Sequence, residues 1–155
     1  MASKYSVSLE KIINEFGLET IYLPCDASEL SITSQEVNRP GLLLAGNDKY
    51  FDPARVQYLG FSEFEFVKSF SKEKQLECIE RLFSKQPSVV IITRSLEPLD
   101  GMVECAKKYR VPIIRTAEAT SPALKGRFKI IVKTKEDNPP IKNILPTSSI
   151  VRFLA

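Results

Sequence analysis

Pro87-Ser88-Val89-Val90-Ile91-Ile92-Thr93-Arg94-Ser95-Leu96-Glu97-Pro98, followed a few residues later by Ala106-Lys107-Lys108-Tyr109-Arg110-Val111-Pro112-Ile113-Ile114-Arg115-Thr116, decides the fold. Val89 to Thr93 is a continuous run rich in β-branched residues, the composition of a strand covered on both faces. Pro98 ends the turn that follows. A helix is then expected from about Asp100 to Tyr109, burying Met102, Val103 and Ala106, with a second strand over Val111 to Arg115. Strand, helix and strand at this interval form a right-handed βαβ unit, so the two strands lie parallel in one sheet. The fold class is α/β: a small parallel or mixed sheet flanked by helices.

Working outward, Phe61 to Lys85 carries two helices. Ser62 with Glu65 fits a capping box for the first, around which Phe61, Phe64 and Phe66 would pack. Ser71 opens the second, whose buried stripe is Leu76, Ile79, Leu82 and Phe83. The phenylalanines Phe61, Phe64, Phe66 and Phe70 read as core, and any exposed member would become a docking surface. Arg55 to Leu59 makes a strand closed by Gly60. In Val37-Asn38-Arg39-Pro40-Gly41-Leu42-Leu43-Leu44-Ala45-Gly46, Pro40-Gly41 supplies a type II turn. Leu42 to Ala45 then reads as a buried strand stopped by Gly46. Ile32 to Val37 and Ile21 to Leu23 are further short strands, the latter ended by Pro24. Leu9, Ile12, Ile13 and Phe16 fall on one face of a helix from about Ser8, which Gly17 stops.

A chain of 155 residues with 43% hydrophobic content can bury one ordinary core. No apolar run reaches the roughly 20 residues that span a bilayer, and Met1 to Lys11 lacks a signal-peptide core, so a cytoplasmic protein without membrane partners is expected. Cys25, Cys78 and Cys105 are odd in number and widely spaced, which fits reduced thiols rather than disulfides or a zinc site. The net charge of +3 is unevenly spread. Residues 1–124 hold 15 basic against 17 acidic groups, while residues 125–155 hold 7 basic groups against Glu136 and Asp137. Two regions are therefore expected: a near-neutral domain over 1–124 and a divergent basic tail over 125–155. Phe128 to Lys133 could add one strand to that tail, and Asn138-Pro139-Pro140 and Pro146-Thr147-Ser148 break it. A solvated, poorly ordered tail is the expected reading. Its aromatics are few and no nucleic-acid motif frames them, so nucleic acid is not the expected partner.

The residues that carry much of enzyme chemistry are missing. There is no histidine, hence no imidazole base, no Ser-His or Cys-His pair and no histidine metal ligand. No G-x-x-x-x-G-K-[ST] or G-x-G-x-x-G phosphate cradle occurs, and no catalytic or metal-ligating residue is assigned. Two constellations remain. Thr93 and Arg94 end one predicted parallel strand, and Arg115 and Thr116 end the next, where open α/β sheets bind ligands. These four form a candidate anion site for a small phosphorylated metabolite; the alternative has Arg94 and Arg115 capping carboxylates such as Glu97 and Glu118. Asn38, Arg39, Pro40 and Gly41 form a turn, with Arg39 either paired to a surface carboxylate or free to hold an anion or a neighbouring domain.

In order and spacing, the Val37–Gly60 and Pro87–Thr116 blocks resemble the amino-terminal domain of HPr kinase/phosphorylase, over roughly residues 5 to 121. The Pro-Gly turn before an apolar run is also similar to the start of the Mur-ligase amino-terminal domain, a hint about fold only. The first resemblance implies a bacterial enzyme of carbon catabolite control that phosphorylates a serine of the phosphocarrier HPr with ATP or pyrophosphate and assembles as a hexamer. It implies HPr and further copies of the chain as partners, and ATP with magnesium as cofactors of a catalytic domain lying downstream of the matched region. The matched positions are Asn38, Arg39, Pro40, Gly41, Gly46, Thr93, Arg94 and Arg115, none of which is catalytic. The expected function is thus a regulatory or assembly domain without phosphate transfer; the alternative is a stand-alone sensor of small anions. Past Thr120-Ser121 the resemblance ends, which fits either a shifted reading frame near residue 122 or a natural divergent terminus.

Overall fold

Residues 6–34 and 36–118 are described by the computed structural model. A mixed five-stranded sheet lies at its centre. Its strands are β2 (Glu19–Tyr22), β4 (Val37–Asn38), β5 (Val56–Leu59), β6 (Val90–Ile92) and β7 (Ile113–Arg115), in the spatial order β2-β7-β6-β5-β4. β4 to β7 run parallel in register, with Gln57 opposite Val90 and Val90 opposite Ile113. β2 pairs antiparallel with β7, with a bulge between Thr20 and Tyr22. The α/β reading and the parallel strand–helix–strand unit are therefore both present.

Side chains alternate across the strands and so feed two cores. Leu59, Val90, Ile92 and Ile113 face a layer built from α2 (Gly41–Leu44), α3 (Phe61–Lys68), α4 (Lys72–Phe83) and α5 (Met102–Tyr109). Val56, Tyr58, Ile91 and Ile114 face α1 (Leu9–Phe16) on the other side. A two-stranded antiparallel ribbon of β1 (Val7–Ser8) and β3 (Ser31–Ile32) contributes Val7 and Ile32 to that second core.

Local signals explain most element ends. The Ser8 hydroxyl accepts the Lys11 N–H at the start of α1, and Gly17 closes it at φ +65°. The Ser71 hydroxyl accepts the Lys74 N–H in the same way for α4. The expected strand over Ile32 to Val37 is split between two sheets. The Ser34 hydroxyl accepts the Glu36 N–H and bends the chain between them. Cys25, Cys78 and Cys105 are free thiols.

Four expectations are corrected. Pro40-Gly41 is not a type II turn: Gly41 does not take a positive φ, and it opens the short helix α2 where a strand was expected. Three successive leucines without β-branching favour helix over strand, and Leu43 and Leu44 are buried by it. Gly46, at φ +107°, then lets the Asn47 N–H reach back to the Leu42 carbonyl. The capping box expected at Ser62 and Glu65 sits earlier, at Gly60 and Glu63, because α3 begins at Phe61. Of the stripe expected on α4, Leu76 is 47% exposed; Gln75, Cys78, Ile79, Leu82 and Phe83 form the buried face. Similarly, of the α5 residues expected inside, Met102 and Ala106 are buried and Val103 is only half-buried.

Gly101 precedes α5 at φ +87°, and a Cβ there would fall 2.4 Å from the Leu76 Cδ2. Leu76 can swing aside, so Gly101→Ala should cost the fold mainly the backbone strain, about 1–2 kcal/mol. An unchanged urea midpoint would contradict this.

Candidate functional site

The carboxyl ends of the parallel strands converge on one rim of the sheet, where β4 delivers Arg39, β5 delivers Gly60, β6 delivers Thr93 and Arg94, and β7 is followed by Thr116. At its centre sits Glu63, only 6% exposed on the first turn of α3. One carboxylate oxygen accepts the Gly60 N–H at 2.8 Å and the Arg39 Nη2 at 2.9 Å; the other accepts the Arg39 Nε at 3.1 Å. This is half of a capping box, since Gly60 has no side chain to return the bond. The absence of that side chain matters for space as well: a Cβ on Gly60 would stand 3.1 Å from the Thr93 Oγ1 and 3.4 Å from the Arg39 Nη2. Arg39 is thus paired, but with a buried carboxylate rather than a surface one. Glu63 itself is the rim residue that sequence reading missed; an acid three residues after a strand-ending glycine is the signal that could have found it.

Asn38 is held by its side-chain amide, which donates to the Gln57 Oε1 at 2.8 Å. Gln57 is fully buried on β5, and its own amide donates to the Arg55 carbonyl at 3.0 Å. A buried polar pair of this kind fixes the register of β4 against β5.

The four residues expected to form an anion site lie on adjacent strands, but three of them spend their polar atoms within the domain. The Thr93 hydroxyl is buried and donates to the Leu59 carbonyl at 3.0 Å. Thr116 accepts the Glu118 N–H at 3.2 Å. Arg115 forms a two-pronged bond to Glu19 at 2.7 and 3.0 Å, donates to the Leu96 carbonyl at 3.1 Å and lies 3.4 Å from a Glu97 oxygen. Arg94 differs. Its guanidinium stacks 4.8 Å above the ring of Phe61, which is 52% exposed. Arg94 and Ser95 both adopt positive φ, and their N–H groups bond the Glu118 and Thr116 carbonyls, fastening the chain as it leaves β7. Of the phenylalanines read as core, Phe64 is buried, whereas Phe61 and Phe66 reach solvent, and Phe66 meets Phe70 edge to face.

The charge pairs set a direction for pH dependence. Hydrogen bonds from Arg115 hold the Glu19 carboxyl below its ordinary value of 4.5. Glu80 on α4 lies below 4.5 as well, chiefly through the hydroxyl of Tyr109 and then the ammonium of Lys108, both on α5. Burial, then the Glu80 charge, pushes the Cys105 thiol upward, away from reactivity. Carboxyls lowered by folding stabilise fully above their unfolded values and lose that contribution as pH falls through the folded ones. The melting temperature should therefore decline on acidification below about pH 4.5, and less steeply in Glu19→Gln and Glu80→Gln. Superimposable Tm–pH curves for parent and variants would refute the assignment.

A cavity of about 140 Å³ opens beside β4 and α2, next to the strand-end rim at Arg39, with Arg39 and Arg55 among its walls and the exposed Tyr50 at its edge. Among the described residues no cluster of three or more histidine, cysteine, aspartate or glutamate side chains is placed to hold a metal ion. No helix among them is long and apolar enough to cross a membrane. The basic region expected over 125–155 lies outside the described residues.

Residues 7–126 match the family described as the HPr serine kinase N terminus. The chain is 38% identical over 117 residues to the HPr kinase/phosphorylase of Caldicellulosiruptor bescii, covering 76% of this chain and 38% of that protein. It is 36% identical over 115 residues to the Clostridium perfringens protein of the same name, with 74% and 37% covered. For that of Lactococcus lactis the figures are 32% over 116 residues, 75% and 38%. The chain thus spans under two-fifths of the length of these relatives. Among solved structures, the CBS and DRTGG domains of the regulatory region of Clostridium perfringens pyrophosphatase, complexed with the activator diadenosine tetraphosphate, superimpose with a TM-score of 0.53 at 18% identity. That match covers 94% of this chain and 60% of that one, and it shows a shared fold. Matching this family over residues 7–126 and sharing more than 30% identity with these relatives, the chain belongs to the HPr serine kinase N-terminal family.

Proposed function

We propose that this domain is the amino-terminal regulatory and assembly module of an HPr kinase/phosphorylase and does not itself transfer phosphate. The observation that carries the reading is the match across residues 7–126, in a chain spanning 38% of its relatives' length. Through that family, HPr and further copies of the chain become the partners, and carbon catabolite control the process. The chain's own chemistry agrees with a supporting role. At the strand-end rim Glu63 is closed by Arg39 and Gly60, and Arg115 by Glu19, while Arg94 lies over the Phe61 ring.

ATP and magnesium, which the family resemblance assigns to a catalytic domain, do not fit the residues of this chain. It has no G-x-x-x-x-G-K-[ST] loop, and the described residues offer no grouped ligands for a metal. No phosphoryl-transfer step is assigned to it.

The reading is tested with an HPr kinase/phosphorylase whose own amino-terminal domain is deleted or replaced by this chain. The graft is expected to restore the assembly state and turnover lost by deletion, while the isolated chain leaves HPr unphosphorylated in the presence of ATP and magnesium. A graft indistinguishable from the deletion, or phosphoserine formed on HPr by the isolated chain, would overturn it.

A further inference from the structure

We propose that the cavity beside β4 and α2 is a binding site for a compact organic anion, a single flat ring carrying one phosphate or carboxylate. Its size suits the ring. At about 140 Å³ it is close to the roughly 150 Å³ that accepts one benzene-sized ring, and well below the 300 Å³ or more of sites for drug-sized ligands. Its walls suit a flat body: Leu43 and Pro40 are apolar, Phe51 is half-buried, and Tyr50 stands 76% exposed at the opening. A large aromatic side chain left in water beside a cavity can close over a planar guest.

The polar atoms that remain free select the charge. Arg39 commits Nε and Nη2 to Glu63, which leaves Nη1 without a partner among the described residues. Arg55 is only loosely placed, its Nε 3.9 Å from the nearer Asp52 oxygen, while the other Asp52 oxygen holds the Ala54 N–H. Its guanidinium therefore keeps its donor fork for a ligand. Asn47 uses its carbonyl oxygen for the Lys49 N–H, and its amide N–H groups have no partner among the described residues. Lys49 adds charge at the mouth, its ammonium 5.4 Å from the centre of the Tyr50 ring. Two guanidinium groups and an amide form a donor-rich wall, which a phosphate or carboxylate satisfies and a neutral guest would not.

This site shares Arg39 with the strand-end rim but none of Thr93, Arg94, Arg115 and Thr116, and it does not rest on the role proposed above for the domain. Calorimetric titration of the whole chain with phenyl phosphate, benzoate and inorganic phosphate tests it. At least one ring-bearing anion is expected to bind about tenfold or more tightly than inorganic phosphate, and the tighter of the two identifies the anionic group. Arg55→Gln should weaken that binding by about tenfold or more with the melting temperature unchanged. Tyr50→Ala, on the exposed mouth, gives a second loss that does not depend on how the arginine variant folds. The proposal is overturned if neither ring-bearing anion binds at about 10 mM, if inorganic phosphate binds as well as both, or if neither variant alters the affinity.

Discussion

Glu63→Ala should lower the stability of the domain by about 2–4 kcal/mol. The substitution removes a nearly buried carboxylate that accepts three hydrogen bonds, from the Gly60 N–H and from two nitrogens of Arg39. Breaking a fully buried pair costs about 3–5 kcal/mol; Arg39 keeps a 38% exposed side chain, so part of its charge is recovered by water and the estimate is reduced. Glu63→Gln retains an oxygen for Gly60 but gives up the charge, and should fall between, at about 1–2 kcal/mol. Urea unfolding monitored by circular dichroism measures both. A loss below about 0.5 kcal/mol in the alanine variant, or a glutamine variant less stable than the alanine one, would show that Glu63 does not hold the rim together.

Phe64→Ala is expected to have the other large effect, about 3–4 kcal/mol, from the lost burial and the cavity left behind. Phe64 packs with Leu59, Val67, Ile79 and Phe83 in the core of the four-helix face. Phe61→Ala, one helical turn earlier, should cost less than about 1 kcal/mol, because it removes only a half-exposed ring and its contact with Arg94. Equal losses in the two variants would mean that both rings support the interior alike.

How much of this was legible in the sequence depended on the range of the determining contacts. β6, α5 and β7 announce themselves because continuous apolar strands around an amphipathic helix admit one parallel arrangement. The ends of α1 and α4 were equally readable, since Ser8, Gly17 and Ser71 act within four residues. Leu42 to Leu44 misled because a short apolar run suits strand or helix alike, and packing decided the matter. Among the candidate residues, Arg115 reads as the end of a strand and Arg39 as part of a turn, and both bond carboxylates. Glu97, 18 positions from Arg115, is legible as a partner, but the stronger ones are not, because Glu63 lies 24 positions from Arg39 and Glu19 lies 96 from Arg115, distances that only the closed sheet removes. The phenylalanines were read as one cluster for a related reason: composition counts rings, but the start and rotation of α3 decide which of them faces inward.

The two outer strands of the sheet bear on how copies of this domain could associate. On one side β4 is two residues long and is followed at once by Arg39 and Pro40, so it offers little backbone for an incoming chain. On the other, β2 runs for four residues with a bulge, and Pro24 follows two residues after it ends. Neither flank is built for growth by adding a strand from a second molecule. Among the described residues, helix surfaces and loops are therefore better suited than the edges of this five-stranded sheet to join copies of the domain, an arrangement that does not run on into fibres through it.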